Sequence, residues 1–578
     1  MLVLSGWTLI VVFLTVFLTK SFLIAEHNTY QEGIESSEMI SVDSITHKET
    51  LIKAITWNIA AINNNPFEYW ITNEDPTYNE IMKNVSEFIE NPGANDVPVS
   101  KIFSDKMYSE LEAAMKEAGM PGLEETRKYW ESDYKNRKVI TEFIKDPELG
   151  KKRLASMPDR VTNTIQTVDQ GIVTRPTVIN CYSGDLGTTA KWWTAWKQFM
   201  FEQGITITSE GEPKKIMIKD LLQPIQKSKY PSITDDEAAI SIPLQTVCAA
   251  IFDAILVNMM NTIAKGTWQP LREDMCNKLN RKKNTRTLEI LETTYKDVDI
   301  QFLQEVASNF AKSAASSAIS TMYDVRYPST LDGERDQNSF ILLKKGKWKS
   351  VKEVTALVLA QLTEMKIKPG LVMNGDLLCL TATDNSVVNK YLLCSFHGDT
   401  NGLATIPVVT AVYNFATKKL PDHRLLFGMD ANTYATPEKD QQGVVAFAEF
   451  YRSKKLNTCY GPYPNPKNFT TFHARTHLQP QLNKAVSLEE KDIKGDKNPK
   501  DFVLFFSSDF AVVSTKKDNT GSKKYIENMV FPTLSFPSDH GITSTVLKQE
   551  TAAVVNHVDS SVIVKKTKDK SDNLRGAN

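Results

Sequence analysis

The sequence predicts an α/β protein whose β-rich core is interrupted, after its first strand, by a large and mainly helical insertion. Three observations carry this. Leu51 to Ala60 (LIKAITWNIA) is β-branched and apolar on both faces and ends at the turn-like Asn63-Asn64-Asn65-Pro66, the pattern of a strand buried between layers. From about Phe67 to Arg286 apolar residues recur at helical spacing. After Thr287 strands return in quick succession.

Taken in order, the chain begins with Leu2 to Thr19, an uncharged and mostly apolar run long enough at about 1.5 Å per residue to cross the hydrocarbon region. It lacks the basic n-region and the shorter apolar stretch of a cleaved leader, so residues 1–25 read as a signal anchor, with a signal peptide cleaved after Ala25 as the alternative. The flank carries Glu26, Glu32, Glu35, Glu38 and Asp43, which does nothing to hold it in the cytosol; Lys20 alone pulls the other way. The expectation is a single-pass membrane or secretory-pathway protein with its folded part lumenal or extracellular. The sequons Asn84-Val85-Ser86 and Asn468-Phe469-Thr470 agree.

Residues 26–50 are polar and without periodicity, a linker. The core is expected over 51–64 and 289–549, the insertion over 65–288, and a charged tail, disordered at its end, over 550–578. Within the insertion, Met107, Leu111, Met115 and Ala118 predict a helix over Ser104 to Met120, stopped by Pro121-Gly122. Leu244 to Ile263 is apolar enough to span a bilayer, yet Gln245, Asp253, Asn258 and Asn261 are costly in lipid, which predicts a buried helix of a folded domain. Trp192 and Trp196 share one helical face, expected in the core rather than at a lipid interface. Strands are predicted over Val298–Val306, Ser339–Leu343, Asp376–Ala382, Tyr391–Phe396, Arg424–Met429, Asp501–Ser507 and Ile542–Leu547.

At 578 residues the chain exceeds the usual single core. Lys plus Arg (68) nearly cancels Asp plus Glu (69), so no global field draws it onto polyanions. Its six cysteines show no CxxC pair, which excludes a zinc-finger spacing and predicts free, buried thiols.

Chemistry is concentrated where polar residues interrupt the apolar strands at their ends: Asn58, Glu305, His397, Asp430, Asn432, Asp501, Asp539 and His540. Burying such groups without partners costs about 2–7 kcal/mol each. A set of them at strand termini therefore implies a shared polar cleft, of a composition that binds hard cations.

The ordered series TWNIA (56–60), LQEV (303–306), SFHGD (395–399), GMDAN (428–432), DFVLFFSS (501–508) and PSDHG (537–541) resembles the motif set of the endonuclease/exonuclease/phosphatase superfamily. That family includes DNase I, apurinic endonucleases, deadenylases, neutral sphingomyelinases and inositol polyphosphate 5-phosphatases. The resemblance covers about half the chain and implies a four-layer α/β/β/α sandwich of two mixed sheets. It implies a phosphoesterase in which Glu305 holds Mg²⁺ (or Mn²⁺), with Asn58 as a neutral ligand or an orienting amide and Asp539 as a second metal ligand. Asp430 would orient or deprotonate the attacking water, and Asn432 would donate to the phosphate. His540 would touch the phosphate or act as general base, held by Asp501, and His397 would assist the leaving group.

The chain departs from the family in the roughly 240 residues between the Asn58 and Glu305 motifs, far beyond ordinary connections, so the insertion is expected to carry specificity. Between the Asp430 and Asp501 motifs, where a family loop approaches the cleft, Arg475, flanked by His473 and His477, reads either as a clamp for the substrate phosphate or as part of a surface loop. Nucleic acid, nucleotide and phospholipid esters all stay open as substrates. The competing reading is a non-catalytic binding or scaffold protein using the same fold.

Overall fold

The computed structural model describes residues 50–209, 211–331, 335–385, 389–472, 478 and 495–550. The apolar segment 1–25, the linker up to Glu49, Arg475 with His473 and His477, and the tail beyond Glu550 lie outside the described residues.

The first strand, β1 (Leu51–Asn58), alternates in its first half and is buried on both faces from Ala54 onward. Ile52 and Ala54 turn inward to an apolar cluster shared with a second sheet, whereas Ile55 and Trp57 turn outward to a helix-covered cluster. The chain then leaves the core for the insertion. That segment has its own apolar core, running from Phe67 to Met275 and joined by Leu478. It is mainly helical, with two small hairpins, β2 (Thr164–Gln166) with β3 (Ile172–Thr174) and β4 (Gly204–Ser209) with β5 (Glu212–Met217).

The helix Asp105–Glu117 starts where Ser104 accepts a hydrogen bond from Met107 N, as the sequence predicted. Helix Ser241–Ile263 has the length and apolar character of a membrane span, but 89% of its most apolar window is buried inside the fold. Its Asp253 is fully buried and pairs with Arg175 at 2.8 Å. Thr177 Oγ1 and Trp196 Nε1 also donate to that carboxylate, so Trp196 is a core residue and so is its fully buried neighbour on the same face, Trp192.

One expectation fails here: the cysteines are not all free. Cys181 and Cys276 are bonded to each other, while Cys248, Cys379, Cys394 and Cys459 are buried thiols. Two cysteines 95 residues apart carry no spacing signal, and only the folded insertion brings them together.

The return to the core begins at the helix Lys283–Glu289, continued by the wider turn Ile290–Thr294; Leu288, Ile290 and Leu291 pack against the sheet rather than the insertion. The helix straddles the boundary read at residue 289. The remaining strands form two mixed six-stranded sheets. In the first the order is β15 (Phe510–Asp518), β16 (Ile542–Gln549), β1, β6 (Ile300–Val306), β8 (Asn338–Lys344), β7 (Tyr323–Arg326), with β1 and β6 parallel. In the second it is β13 (Leu456–Thr458), β14 (Asp501–Phe506), β12 (His423–Asp430), β11 (Lys390–His397), β10 (Leu377–Asp384), β9 (Trp348–Glu353), with β11 and β12 parallel.

Phe302, Ile341 and Leu343 of the first sheet meet Leu393, Leu426 and Val503 of the second in one dry cluster. On the far face of the second sheet, Leu392, Phe427 and Leu504 pack with Val358, Val408 and Phe447 of helices Thr355–Glu364, Thr405–Lys419 and Val444–Ser453. All eight core strands expected from the sequence are present within two residues of their predicted ends.

Candidate active site

Register assembles the site. In the second sheet His397 of β11 lies opposite Asp430 of β12, and Asp430 lies opposite Asp501 of β14, so three strands present one row of titratable groups. In the first sheet Asn58, the last residue of β1, pairs with Gln304 and stands beside Glu305. The two sheet ends meet: Asn58 Nδ2 donates to Glu305 Oε1 and to Asp430 Oδ2, both at 2.9 Å. His540 enters on the stretch before β16, pinned to β1 by Trp57 Nε1 donating to its carbonyl at 2.9 Å and by Ser538 Oγ donating to Asn58 O at 2.7 Å.

The backbone at this point is unusual. Glu305 sits where the pairing of β6 with β8 slips between Leu303 and Val306, a bulge of the kind that re-aims a side chain, and its φ is +52°. Asn432 (φ +46°) and Ala60 (φ +59°) share the left-handed region. Such conformations cost about 1–3 kcal/mol each and persist only where their surroundings fix them. Here the fixing groups are visible: Asp430 Oδ1 accepts from Asn432 N and Asn58 Oδ1 from Ala60 N, both at 2.8 Å. Asn58 thus has its oxygen on the Ala60 N–H and its nitrogen on two carboxylates, contacts that orient the Glu305 and Asp430 side chains.

His540 Nδ1 lies 3.0 Å from Asp501 Oδ2, while its Nε2 faces Asp430 Oδ2 at 3.6 Å. Burial alone would drive the proton off this imidazole, but the carboxylates of Asp501 and Asp430 outweigh it and lift its pKa to about 10. Asp430 is pushed up by burial and pulled down further by His540, His397 and Lys500, so it ends below the ordinary carboxylate range. Asp501, fully buried, is raised by that burial against the opposing pull of His540.

His397 Nε2 stands 3.3 Å from Glu305 Oε1 and 3.8 Å from Asp430 Oδ2. Asn432 is 4% exposed, and its Nδ2 is buried without a hydrogen-bond partner among the described residues. Asp539 is half-buried and, with Glu305, lines a cleft of about 330 Å³ to which the insertion contributes Asn65, Tyr69, Leu279 and Asn280. The structure therefore gathers Asn58, Glu305, His397, Asp430, Asn432, Asp501 and His540, with Asp539 at the cleft edge.

The donor set suits a hard divalent cation. Ligating atoms of Glu305, His397 and Asp430 lie within 4.8 Å of one another, as do those of Asp430, Asp501 and His540. The second group is already committed as a hydrogen-bonded His–Asp pair, so the first is the better seat. Sequence reasoning missed two buried cations. Lys500, paired with Asp496 at 2.8 Å, sends its charge toward Asp430, and Lys283 donates to the Ala60 and Ala61 carbonyls. Lys500 directly precedes the DFVLFFSS motif, whereas Lys283 stands apart from every motif.

The family model "Domain of unknown function (DUF8234)" matches residues 96–273, inside the insertion. No curated protein sequence matches the chain. Solved structures of the endonuclease/exonuclease/phosphatase family do match, as the motif order implied. An endonuclease/exonuclease/phosphatase family protein from Bacteroides thetaiotaomicron is 16% identical, over 48% of this chain and 94% of that one, with a TM-score of 0.31. The human Nocturnin catalytic domain with bound sulfate is 12% identical, over 47% and 88%, with a TM-score of 0.31. D. rerio TDP2 complexed with a single-strand DNA product is 12% identical, over 46% and 91%, with a TM-score of 0.30. The functional reading rests on the side-chain geometry rather than on these likenesses.

Proposed function

We propose that this chain is a divalent-metal-dependent phosphoesterase, hydrolysing a phosphodiester or phosphomonoester by in-line attack of an activated water. Its frame is a four-layer α/β/β/α core, a reading supported by the two sheets facing each other across one apolar cluster with helix-bearing clusters outside them. The observation that carries the functional reading is the meeting of Asn58 and Glu305 from one sheet with His397, Asp430 and Asp501 from the other, with the buried Asn432 Nδ2 two residues beyond Asp430 having no partner among the described residues. Packing alone has no use for a buried donor without an acceptor; a phosphoryl oxygen supplies one.

Glu305 would hold Mg²⁺ or Mn²⁺, with His397 and Asp430 beside it and Asp539 a further ligand at the cleft edge, and the cation would supply charge neutralisation on the phosphoryl oxygens. Asn58 keeps the Glu305 and Asp430 carboxylates apart and aimed. Asp430 accepts the proton of the attacking water. His540, kept cationic by Asp501, donates from Nε2 to the phosphate, and Asn432 Nδ2 donates to a second oxygen. His397 stands on the metal side, where it assists the departing oxygen. Arg475, which lies outside the described residues, is the side chain proposed for the substrate phosphate. Nucleic acid or nucleotide and phospholipid esters both satisfy this chemistry.

The test uses the full-length chain in detergent with bis-p-nitrophenyl phosphate, single-stranded DNA, RNA, sphingomyelin and phosphoinositides, with Mg²⁺ or Mn²⁺ and with EDTA. Metal-dependent turnover that disappears in Glu305→Ala and His540→Ala establishes the enzyme and names its substrate class. A folded, metal-binding protein inert toward every ester returns the weight to the scaffold reading.

A further inference from the structure

The turn after β1 is held from two sides. Ala60 N donates to Asn58 Oδ1 and Ala61 N donates to Glu305 Oε2, each at 2.8 Å, so two successive N–H groups fix the two residues at the core of the site. The carbonyls of the same two residues point the opposite way and both accept from one cation, Lys283 Nζ, each at 2.8 Å. Ala60 O and Ala61 N belong to one peptide group. That group is therefore polarised between an ammonium and the Glu305 carboxylate, a chain in which each hydrogen bond strengthens the next.

Lys283 is 3% exposed. Taking an ammonium out of water costs several kcal/mol after relaxation, and an apolar residue would fill the same helix position at no such cost. Among the described residues no carboxylate lies within ion-pairing distance of it; its direct partners are the two carbonyls, with Asp539, Glu305 and Asp336 acting on it from farther off. Lys283 also lines the cleft beside Glu305, at the junction where the insertion rejoins the core.

We propose that Lys283 is a positioning residue for metal capture: its charge, relayed through the Ala60–Ala61 peptide, holds the left-handed turn at Ala60 and sets the Glu305 carboxylate for the cation. This rests on the reading of Glu305 as a metal-holding residue. Because the residue belongs to the helix that closes the insertion, it also ties the insertion's placement to the catalytic end of the sheet.

The experiment measures Mn²⁺ affinity of the full-length protein by titration calorimetry and by the loss of the free-ion spin-resonance signal. The proteins compared are wild type, Lys283→Met, Lys283→Gln and Glu305→Ala, each with its thermal midpoint in EDTA. Lys283→Met is expected to weaken Mn²⁺ binding by about 10- to 100-fold, the usual effect of removing a residue that orients a metal ligand. Lys283→Gln, which keeps a donor but no charge, is expected to fall between it and wild type. A further variant, Lys283→Ala, vacates the place of the ammonium, and methylammonium is expected to restore part of its Mn²⁺ affinity. Wild-type affinity in the Lys283 variants, with binding lost in Glu305→Ala, overturns the proposal and leaves the metal reading standing. A loss that tracks a collapsed thermal midpoint and is not restored by methylammonium makes Lys283 merely structural and also overturns it. Undiminished Mn²⁺ binding in Glu305→Ala overturns the metal reading itself.

Discussion

A buried donor without an acceptor costs about 1–3 kcal/mol, and Asn432 Nδ2 is such a group, carried on left-handed backbone two residues beyond β12. Asn432→Gly removes the orphan and suits the positive φ. The urea midpoint is thus expected to hold or rise while kcat on bis-p-nitrophenyl phosphate falls by about 10²–10³, the cost of one preorganised donor. Unchanged kcat in a folded variant would remove Asn432 from the phosphate site. Asp501 acts through its neighbour. Burial works to discharge His540 and Asp501 leads the groups opposing it, so Asp501→Asn is expected to bring the His540 pKa down from about 10 by NMR titration in EDTA. The accompanying loss in kcat is expected at about 10²–10⁴. At this scale the sequence was legible wherever a polar residue interrupted an apolar strand, because nothing but a shared cleft accounts for Asp430 or His540 there. Lys283 was not legible: in Arg281-Lys282-Lys283 it looks like one more charge on a solvated face, and only packing reveals which of the three is buried.

Among the elements, the strands that apolar pattern found are the eight inner ones, and the four it missed, β7, β9, β13 and β15, are the edges of the two sheets. The reason is physical. Inner strands are apolar over long runs, whereas edges are short or carry charge that discourages pairing with other chains; β9 reads WKSVKE and β15 ends in STKKD. The bulge that aims Glu305 was equally invisible, since an extra residue in a ladder shows only once the partner strand is known. In the insertion the buried Arg175–Asp253 pair holds Pro158–Thr162, Thr177 and Trp196 around helix Ser241–Ile263. Arg175 also pairs with Asp159 at 2.6 Å, which keeps part of its charge compensated, so Asp253→Ala is expected to lower the insertion's stability by at most about 3–5 kcal/mol in urea unfolding. A loss below about 1 kcal/mol would mean that water or another group replaces Asp253.

For the whole molecule, the disulfide joins the reading of the N-terminus to the folded part. A bond between Cys181 and Cys276 persists where thiols are not kept reduced, which is the kind of compartment expected from the sequence of residues 1–43. It closes a loop of 95 residues, for which chain entropy alone gives about 4–5 kcal/mol of stabilisation. It also lies in the wall of the cleft beside Glu305, so its state bears on the shape of the substrate pocket. In cells acid-quenched before lysis and then alkylated without reductant, Cys181 and Cys276 are expected to resist labelling. The four thiols should label only after denaturation, because all four are buried. The double variant Cys181→Ser, Cys276→Ser is expected to lose about 2–5 kcal/mol of stability. Full labelling of Cys181 and Cys276 in quenched cells would place the folded domain in a reducing compartment. The apolar segment would then have to be a tether facing the cytosol, with Lys20 rather than the acidic flank deciding its orientation.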